Sequence, residues 1–469
     1  MSRKQSKLRQ GKRAAHIDAP VSLGASYEID ITGIGDGGEG VGRYEGFTVF
    51  VPFALPEERV RARIVTLKKN YAVGVLEFVV VPSPHRIEPP CDAFGTCGGC
   101  RLQHVDYAAQ LELKTQKVRN VIERIAKLDP AIVKSAAGPS DPWYYRNKMQ
   151  LPIGGTSASP LLGFYAMNSH DIIAHETCLI QDDMNNRLAR ACEELIRMTG
   201  VAPYDESTGE GLLRHAVGRI NRDGTEAMLI LVTTRPLADG DIWVRHLREA
   251  CPILSSVVNN INPKRTNVIL GSENKVLYGN GYIRDAIGEL EFRISPHSFF
   301  QVNPTQTLQL YEQALLYADL KSDDTVIDAY CGTGTISLFM AKRAKRVIGI
   351  EIVEPAVRDA EQNATRNGVT NATFIADDAT RAMPKLYADG VRPDVVVFDP
   401  ARAGCTPEVL DAAVMMHPKR MVYVSCNPAS MARDLAILAA KGYVATEVQP
   451  VDMFPQTPHV ECVARVERR

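Results

Sequence analysis

From about residue 305 to the C-terminus the chain alternates short apolar runs with helical stretches, and no other feature limits its fold as much. The runs are DTVIDAY, KRVIGIEI, ATFIADD, DVVVFDP and MVYVSCNP. Strands separated by helical segments predict a parallel sheet with crossover helices, a doubly wound α/β domain. The last segment, VATEVQPVDMFPQTPHVECVARVER, predicts a closing antiparallel pair.

Upstream the pattern changes. Residues 22–82 hold short β-branched runs (YEIDITGI, FTVFVPF, RVRARIVTL, YAVGVLEFVVV) broken by glycine-rich turns, which predicts a small β-barrel. The proline-rich PSPHRIEPP reads as a connector. Between 83 and 300, runs such as EAMLILVTT and SSVVNNI surround a clear helix, DDMNNRLARACEELIRM, and predict an α+β middle domain. A helix near 103–128 is expected to pack on the last domain. The division is a basic tail over 1–20, a barrel over 22–82, a middle domain over 83–300 and a C-terminal domain over 301–469.

Composition excludes bulk disorder, with 45% hydrophobic and 23% charged residues. No apolar run approaches the roughly 18 residues of a spanning helix, so no membrane is expected. The start, MSRKQSKLRQGKRAA, has no apolar stretch behind it and reads as neither signal nor anchor; a cytoplasmic location is expected. The total of 54 basic against 55 acidic residues seems to disfavour a polyanionic partner. The distribution is uneven, however. Residues 1–15 carry six Lys/Arg and no acid, 101–150 are net basic and 321–411 net acidic. Acids that hold a cofactor and bases that hold phosphate cancel in the sum.

TVIDAYCGTGTISL predicts a strand ending in Asp328, a turn at Gly332 and Gly334, then a helix. The third glycine of the dinucleotide fingerprint is missing, so a nucleoside without a pyrophosphate fits better. Glu351, ending the second strand, is a candidate for the ribose hydroxyls. Asp378 or Asp377, ending the third, is a candidate for an adenine amino group. The set resembles the Rossmann-like S-adenosylmethionine-dependent methyltransferases.

The fourth strand ends in Asp399-Pro400-Ala401-Arg402, with no aromatic platform for an exocyclic amine. The fifth ends in Ser425-Cys426-Asn427-Pro428, and Glu461 can return to the same crevice. A thiol and a carboxylate beside a methyl donor suit methylation of uracil C5: thiolate addition to C6 activates C5, and a base then removes the C5 proton. Cys426 is the candidate nucleophile and Glu461 the candidate base. Two alternatives are cytosine-C5 methylation, which calls for a Pro-Cys pair absent from the catalytic half, and a non-catalytic RNA-binding protein, which retention of both Cys426 and Glu461 disfavours.

With SPHSFFQVN, DAYCGTGTISL, DPARAGC, VYVSCNP, DMFPQTPHVE, GFYAMNSHDII and YYRNKM, the chain resembles the RNA uracil-C5-methyltransferase family from residue 22 to its end. The first module resembles a TRAM domain, an RNA-binding barrel of OB-like build. The resemblance implies that Gln301, Tyr330 and Thr335 contact the cofactor, with Glu351, Asp378 and Asp399 completing the site. Phe299 and Arg402 are the candidate substrate contacts. Two departures stand out: Ala401 where DPPR is usual, and Gln456 where a His is frequent.

Cys91, Cys97 and Cys100 form C-x5-C-x2-C, with Cys178 the best fourth ligand. Zinc and a 4Fe-4S cluster both accept four thiolates. The resemblance favours the 4Fe-4S cluster, in a structural or RNA-positioning role. It also implies structured RNA as the partner, 23S rRNA ahead of tRNA. No obligate protein partner is evident.

Overall fold

The computed structural model describes residues 19–469; the basic segment over 1–15, and with it the expected polyanion-binding arm, lies outside them. Two compact units divide the described chain at residue 87. In the first, β1 (Ser26–Ile34), β2 (Gly40–Tyr44), β3 (Phe47–Val51), β4 (Arg59–Leu67) and β5 (Tyr71–Val81) close into a barrel of order β1-β2-β3-β5-β4. Alternation sends Val60, Ala62 and Ile64 inward and Arg59, Arg61 and Arg63 outward along β4. Glycines let strands approach here: a Cβ on Gly42 would meet the Asp30 carbonyl oxygen at 2.5 Å.

In the second unit, seven strands form a sheet: β6 (Lys148–Gly155), β7 (Pro160–Tyr165), β8 (Ile172–Ala174), β9 (Leu213–Ile220), β10 (Ala227–Thr233), β11 (Leu254–Ile261) and β12 (Glu273–Gly279). Their order is β12-β11-β10-β9-β6-β7-β8. The helices Asp183–Thr199 and Gly240–Ala250 cover one face around Trp243 and Leu188. From β10, Ala227, Leu229 and Leu231 join that core, while Met228, Ile230 and Val232 point the other way. The second set packs in one core with the hairpin β13 (Ile283–Ile287) and β14 (Leu290–Ile294), and with the sheet that follows. The sequence-based division at residue 300 falls inside this shared core.

That second sheet consists of β15 (Thr325–Asp328), β16 (Arg346–Glu351), β17 (Ala372–Ala376), β18 (Val395–Phe398), β19 (Arg420–Ser425), β20 (Tyr443–Val451) and β21 (Glu461–Arg468). Its order is β17-β16-β15-β18-β19-β21-β20, parallel from β17 to β19 and antiparallel where β21 joins. The C-terminal ends of the parallel strands share one rim, where ligands of open α/β sheets bind.

Another element shapes that rim from far away in sequence. The helix α1 (Tyr107–Val121) is N-capped by Asp106, whose carboxylate accepts from the Ala109 N–H at 2.9 Å, and it runs into a π-turn over Ile122–Ala126. Val118, Ile122 and Ala126 join the core of the second sheet with Leu435 and Val448. Among the described residues no helix is long and apolar enough to cross a membrane.

Candidate active site

The rim encloses a crevice of about 960 Å³, and Gln301, Tyr330, Thr335, Glu351, Asp378 and Asp399 all line it. Gly332 lies at φ 54° with nothing within 4 Å of where a Cβ would stand, so its backbone is open to a ligand. Gly334, at φ 82°, packs under Phe374, where a Cβ would be 3.1 Å from the ring. The carboxylate of Glu351 is fixed at its strand end, Oε2 accepting from the Gly332 N–H (3.1 Å) and Oε1 from the Val353 N–H (2.9 Å). This open glycine face beside a fixed carboxylate fits a nucleoside cofactor. Asp378 also caps the next helix, its Oδ1 accepting from the Thr380 N–H and Oγ1–H. Asp377 is ion-paired to Arg381.

Beside the crevice, Cys426 directly follows β19 and Glu461 opens β21. The antiparallel register ends with Ser425 paired to Cys462, so Cys426 and Glu461 are the residues next to that last pair, and the Glu461 carboxylate acts on the Cys426 thiol. Burial pushes the Cys426 thiol up, and Glu461 and then Asp399 add to the shift, while Arg402 opposes it. Glu461 is buried and its carboxyl is pushed up to about 8 by burial, with a further push from Asp399 and a counter-pull from Arg402. Asp399 is raised to about 7 by burial and then by Asp328. Four acidic groups thus share a desolvated corner, and Arg402 is the cation acting on the two candidates. The loops are tied together: Asn427 Nδ2 donates to the Arg402 carbonyl oxygen at 3.0 Å. The Arg402 guanidinium lies 3.4 Å from His459 Nδ1, on a ring that burial holds down to about 4 and therefore neutral at pH 7.

Within SPHSFFQVN the two phenylalanines part company. Phe300 is buried against Phe292, with ring centroids 5.7 Å apart, while Phe299 is 76% exposed on the crevice wall. An aromatic ring left in water beside a ligand crevice is a ready stacking surface.

The segment that delivers Glu461 is held by α1. Lys114 Nζ lies 2.5 Å from Asp452 Oδ1 and 3.1 Å from the Phe454 carbonyl oxygen, and Tyr107 donates to Asp452 Oδ2 at 3.0 Å. Gln456, the departure from His, exchanges hydrogen bonds with Gln110: Nε2 of Gln110 donates to Oε1 of Gln456 at 3.0 Å, and the Gln456 N–H donates back at 3.1 Å. Its carbonyl oxygen accepts from the N–H groups of Arg101 and Leu102, just past Cys100. The cysteine loop and the candidate base therefore share one hydrogen-bonded network. Sequence reasoning missed Lys114, Gln110 and Asp452, because their partners lie more than 300 residues away. It also missed Tyr311, whose hydroxyl meets Thr335 Oγ1 at 3.2 Å; in an apolar helical stretch it resembles an ordinary core residue.

Cys91, Cys97, Cys100 and Cys178 are free thiols gathered at one place, where those of Cys100 and Cys178 each interact electrostatically with Cys97 and Cys91. Burial first, and these neighbours after it, push Cys100 up to about 12 and Cys178 up to about 11. Such thiols stay protonated without a cation to share. The four sulfurs come from two loops, Cys91–Cys100 and the one holding Cys178. Among the described residues no group of three or more His, Cys, Asp or Glu donors is arranged to hold a single ion. Cys331 lines the crevice, while Cys192, Cys251, Cys405 and Cys462 are buried.

Comparison with known proteins agrees with this geometry. Residues 266–469 match the tRNA (Uracil-5-)-methyltransferase family, and residues 20–76 match the TRAM domain. A Halalkalibacterium halodurans protein described as an uncharacterized RNA methyltransferase is 47% identical, over 96% of this chain and 98% of its own. One from Oceanobacillus iheyensis, described in the same words, is 45% identical with the same coverage. Among solved structures, the Pyrococcus abyssi tRNA (uracil-54, C5)-methyltransferase in complex with S-adenosyl-L-homocysteine superposes with a TM-score of 0.76 at 27% identity. It covers 94% of this chain and 100% of that one. With relatives that run almost end to end and a crevice that fits an adenosyl cofactor, the chain belongs to the S-adenosyl-L-methionine-dependent RNA uracil-5-methyltransferases, with a TRAM domain at its N-terminal end.

Proposed function

We propose that the protein forms 5-methyluridine in 23S rRNA by nucleophilic catalysis, with Cys426 as the attacking thiol and Glu461 as the base. The observation that supports the mechanism is the β19–β21 pairing, whose last pair, Ser425 with Cys462, adjoins both residues, together with the electrostatic action of Glu461 on Cys426. S-adenosyl-L-methionine, held by Gln301, Tyr330, Thr335, Glu351, Asp378 and Asp399, supplies the methyl group. A uracil flipped out of its stack rests against Phe299. The Cys426 sulfur bonds to C6, and the electron pair moves through C5 to the O4 enolate, which makes C5 nucleophilic. After C5 is methylated, Glu461 takes the C5 proton and the C–S bond breaks, restoring the 5,6 double bond and the thiolate. Arg402 helps to hold the negative charge that passes between these groups.

The rRNA target rests on resemblance: family members that carry both a barrel and a four-cysteine site are mostly ribosomal enzymes, although related cluster-bearing enzymes act on tRNA. A second reading, the same chemistry on tRNA, is favoured by the name of the P. abyssi structural relative. Mapping 5-methyluridine in rRNA and tRNA from a strain lacking the gene tests the choice. The modification is expected to vanish from one position or more of 23S rRNA; loss from tRNA alone overturns the rRNA target.

The four cysteines are proposed to hold a 4Fe-4S cluster. Zinc and a 4Fe-4S cluster both take four thiolates, and the choice of the cluster rests on the family resemblance. Protein purified without air is expected to be brown and to contain iron, and Cys97→Ser or Cys100→Ser to lose both colour and iron. Stoichiometric zinc without iron overturns the cluster.

A further inference from the structure

Two cations face one another on the middle sheet, beside the loop whose Ser298, Phe299 and Gln301 line the crevice. Lys148, the first residue of β6, is the direct cross-strand partner of Arg219 in β9. Like charges set opposite each other work against strand pairing. Arg219 is buried, donates to the Ser298 carbonyl oxygen at 2.7 Å and leaves its Nε–H without a partner. Arg146 lies over the same strand end, its Nε 3.1 Å from the Lys148 carbonyl oxygen. Burial pushes the Lys148 ammonium down to about 8, and the charges acting on it, Arg219 and Arg146, push the same way. Asp285 attracts Arg219, but its Oδ1 already accepts from the N–H groups of Arg222 and Ala286, and burial raises its carboxyl to about 6.

This trio is fastened to the loop that serves the crevice. The Asn147 N–H donates to the Val302 carbonyl oxygen at 2.9 Å, and Arg219 grips Ser298 from the other side. Between those two ties lie Phe299 and Gln301. An ammonium beside guanidinium groups, without a carboxylate of its own, is matched by the oxygens of a phosphodiester.

We infer that Lys148, with Arg146 beside it and Arg219 behind it, binds a backbone phosphate of the RNA next to the nucleotide that enters the crevice at Phe299. The inference rests on the entry of the target uridine at Phe299. Binding of a fluorescein-labelled RNA hairpin with a uridine-rich loop, followed by anisotropy across a salt series, tests it. Lys148→Met and Arg146→Gln are each expected to weaken binding about tenfold at low salt and to reduce the slope of log K against log salt by about one. Lys148→Arg is expected to keep the wild-type slope, and all three to keep S-adenosylhomocysteine binding. Wild-type slope and affinity in Lys148→Met, or in Arg146→Gln should the former not fold, overturn the cradle. If Phe299→Ala binds and methylates the hairpin like wild type, the entry site itself is wrong. These two results are distinguishable.

Discussion

Cys426→Ala is expected to lose methyl transfer by on the order of 10⁴-fold or more, because the thiol that adds to uracil C6 and activates C5 is gone. The variant should still bind S-adenosylhomocysteine and RNA, since Cys426 does not line the cofactor crevice. The diagnostic experiment uses RNA containing 5-fluorouridine. Fluorine at C5 cannot leave as a proton, so wild-type enzyme should form a protein–RNA adduct that survives denaturation, and the alanine variant none. Equal adduct from both proteins would sink the thiol mechanism.

Glu461→Gln should fail at a different step. The thiol can still add and the methyl group can still be transferred, but the C5 proton has nowhere to go. Turnover is expected to fall by about 10² to 10⁴-fold, the range for loss of a positioned base. A methylated covalent adduct should accumulate on ordinary, unfluorinated RNA. The pH dependence follows from the raised carboxyl. Below about 8 Glu461 holds its proton in the free enzyme and cannot accept another, so kcat/KM should rise as pH passes through about 8. Removing the Glu461 charge also removes one of the influences that hold the Cys426 thiol up. Iodoacetamide should therefore alkylate Cys426 at lower pH in Glu461→Gln than in wild type. Full turnover with no adduct in the variant would assign the base to another residue.

Much of the catalytic half was legible because its chemistry sits at strand ends. Asp328, Glu351 and Asp399 each close an apolar run, and Gly332 and Gly334 follow the first, so periodicity alone carries them to one rim. The barrel was legible for a similar reason: β4 alternates Arg with Val, Ala and Ile, a period of two that only a half-buried strand explains. The clamp on the catalytic loop was not. Lys114 reads as one more basic residue of an exposed helix, yet it is buried against Asp452, and nothing local marks a partner 338 residues away. Phe299 and Phe300 are chemically identical in sequence; only the packing of one against Phe292 sends the other into solvent.

Local hydrophobic period and turn chemistry depend on neighbours along the chain. For that reason the parallel sheet, the nucleoside-type glycine turn and the presence of a thiol and a carboxylate in the last stretch can all be read from the residues in order. That Cys426 and Glu461 come near each other is a property of the packed molecule alone. Their juxtaposition depends on β21 running antiparallel to β19 with Ser425 paired to Cys462. A slip of one residue would turn Glu461 to the other face of the sheet. The register is held by the buried alternation of Cys462, Ala464 and Val466 into one core and Val463 into the other, a constraint that exists only once both layers are packed.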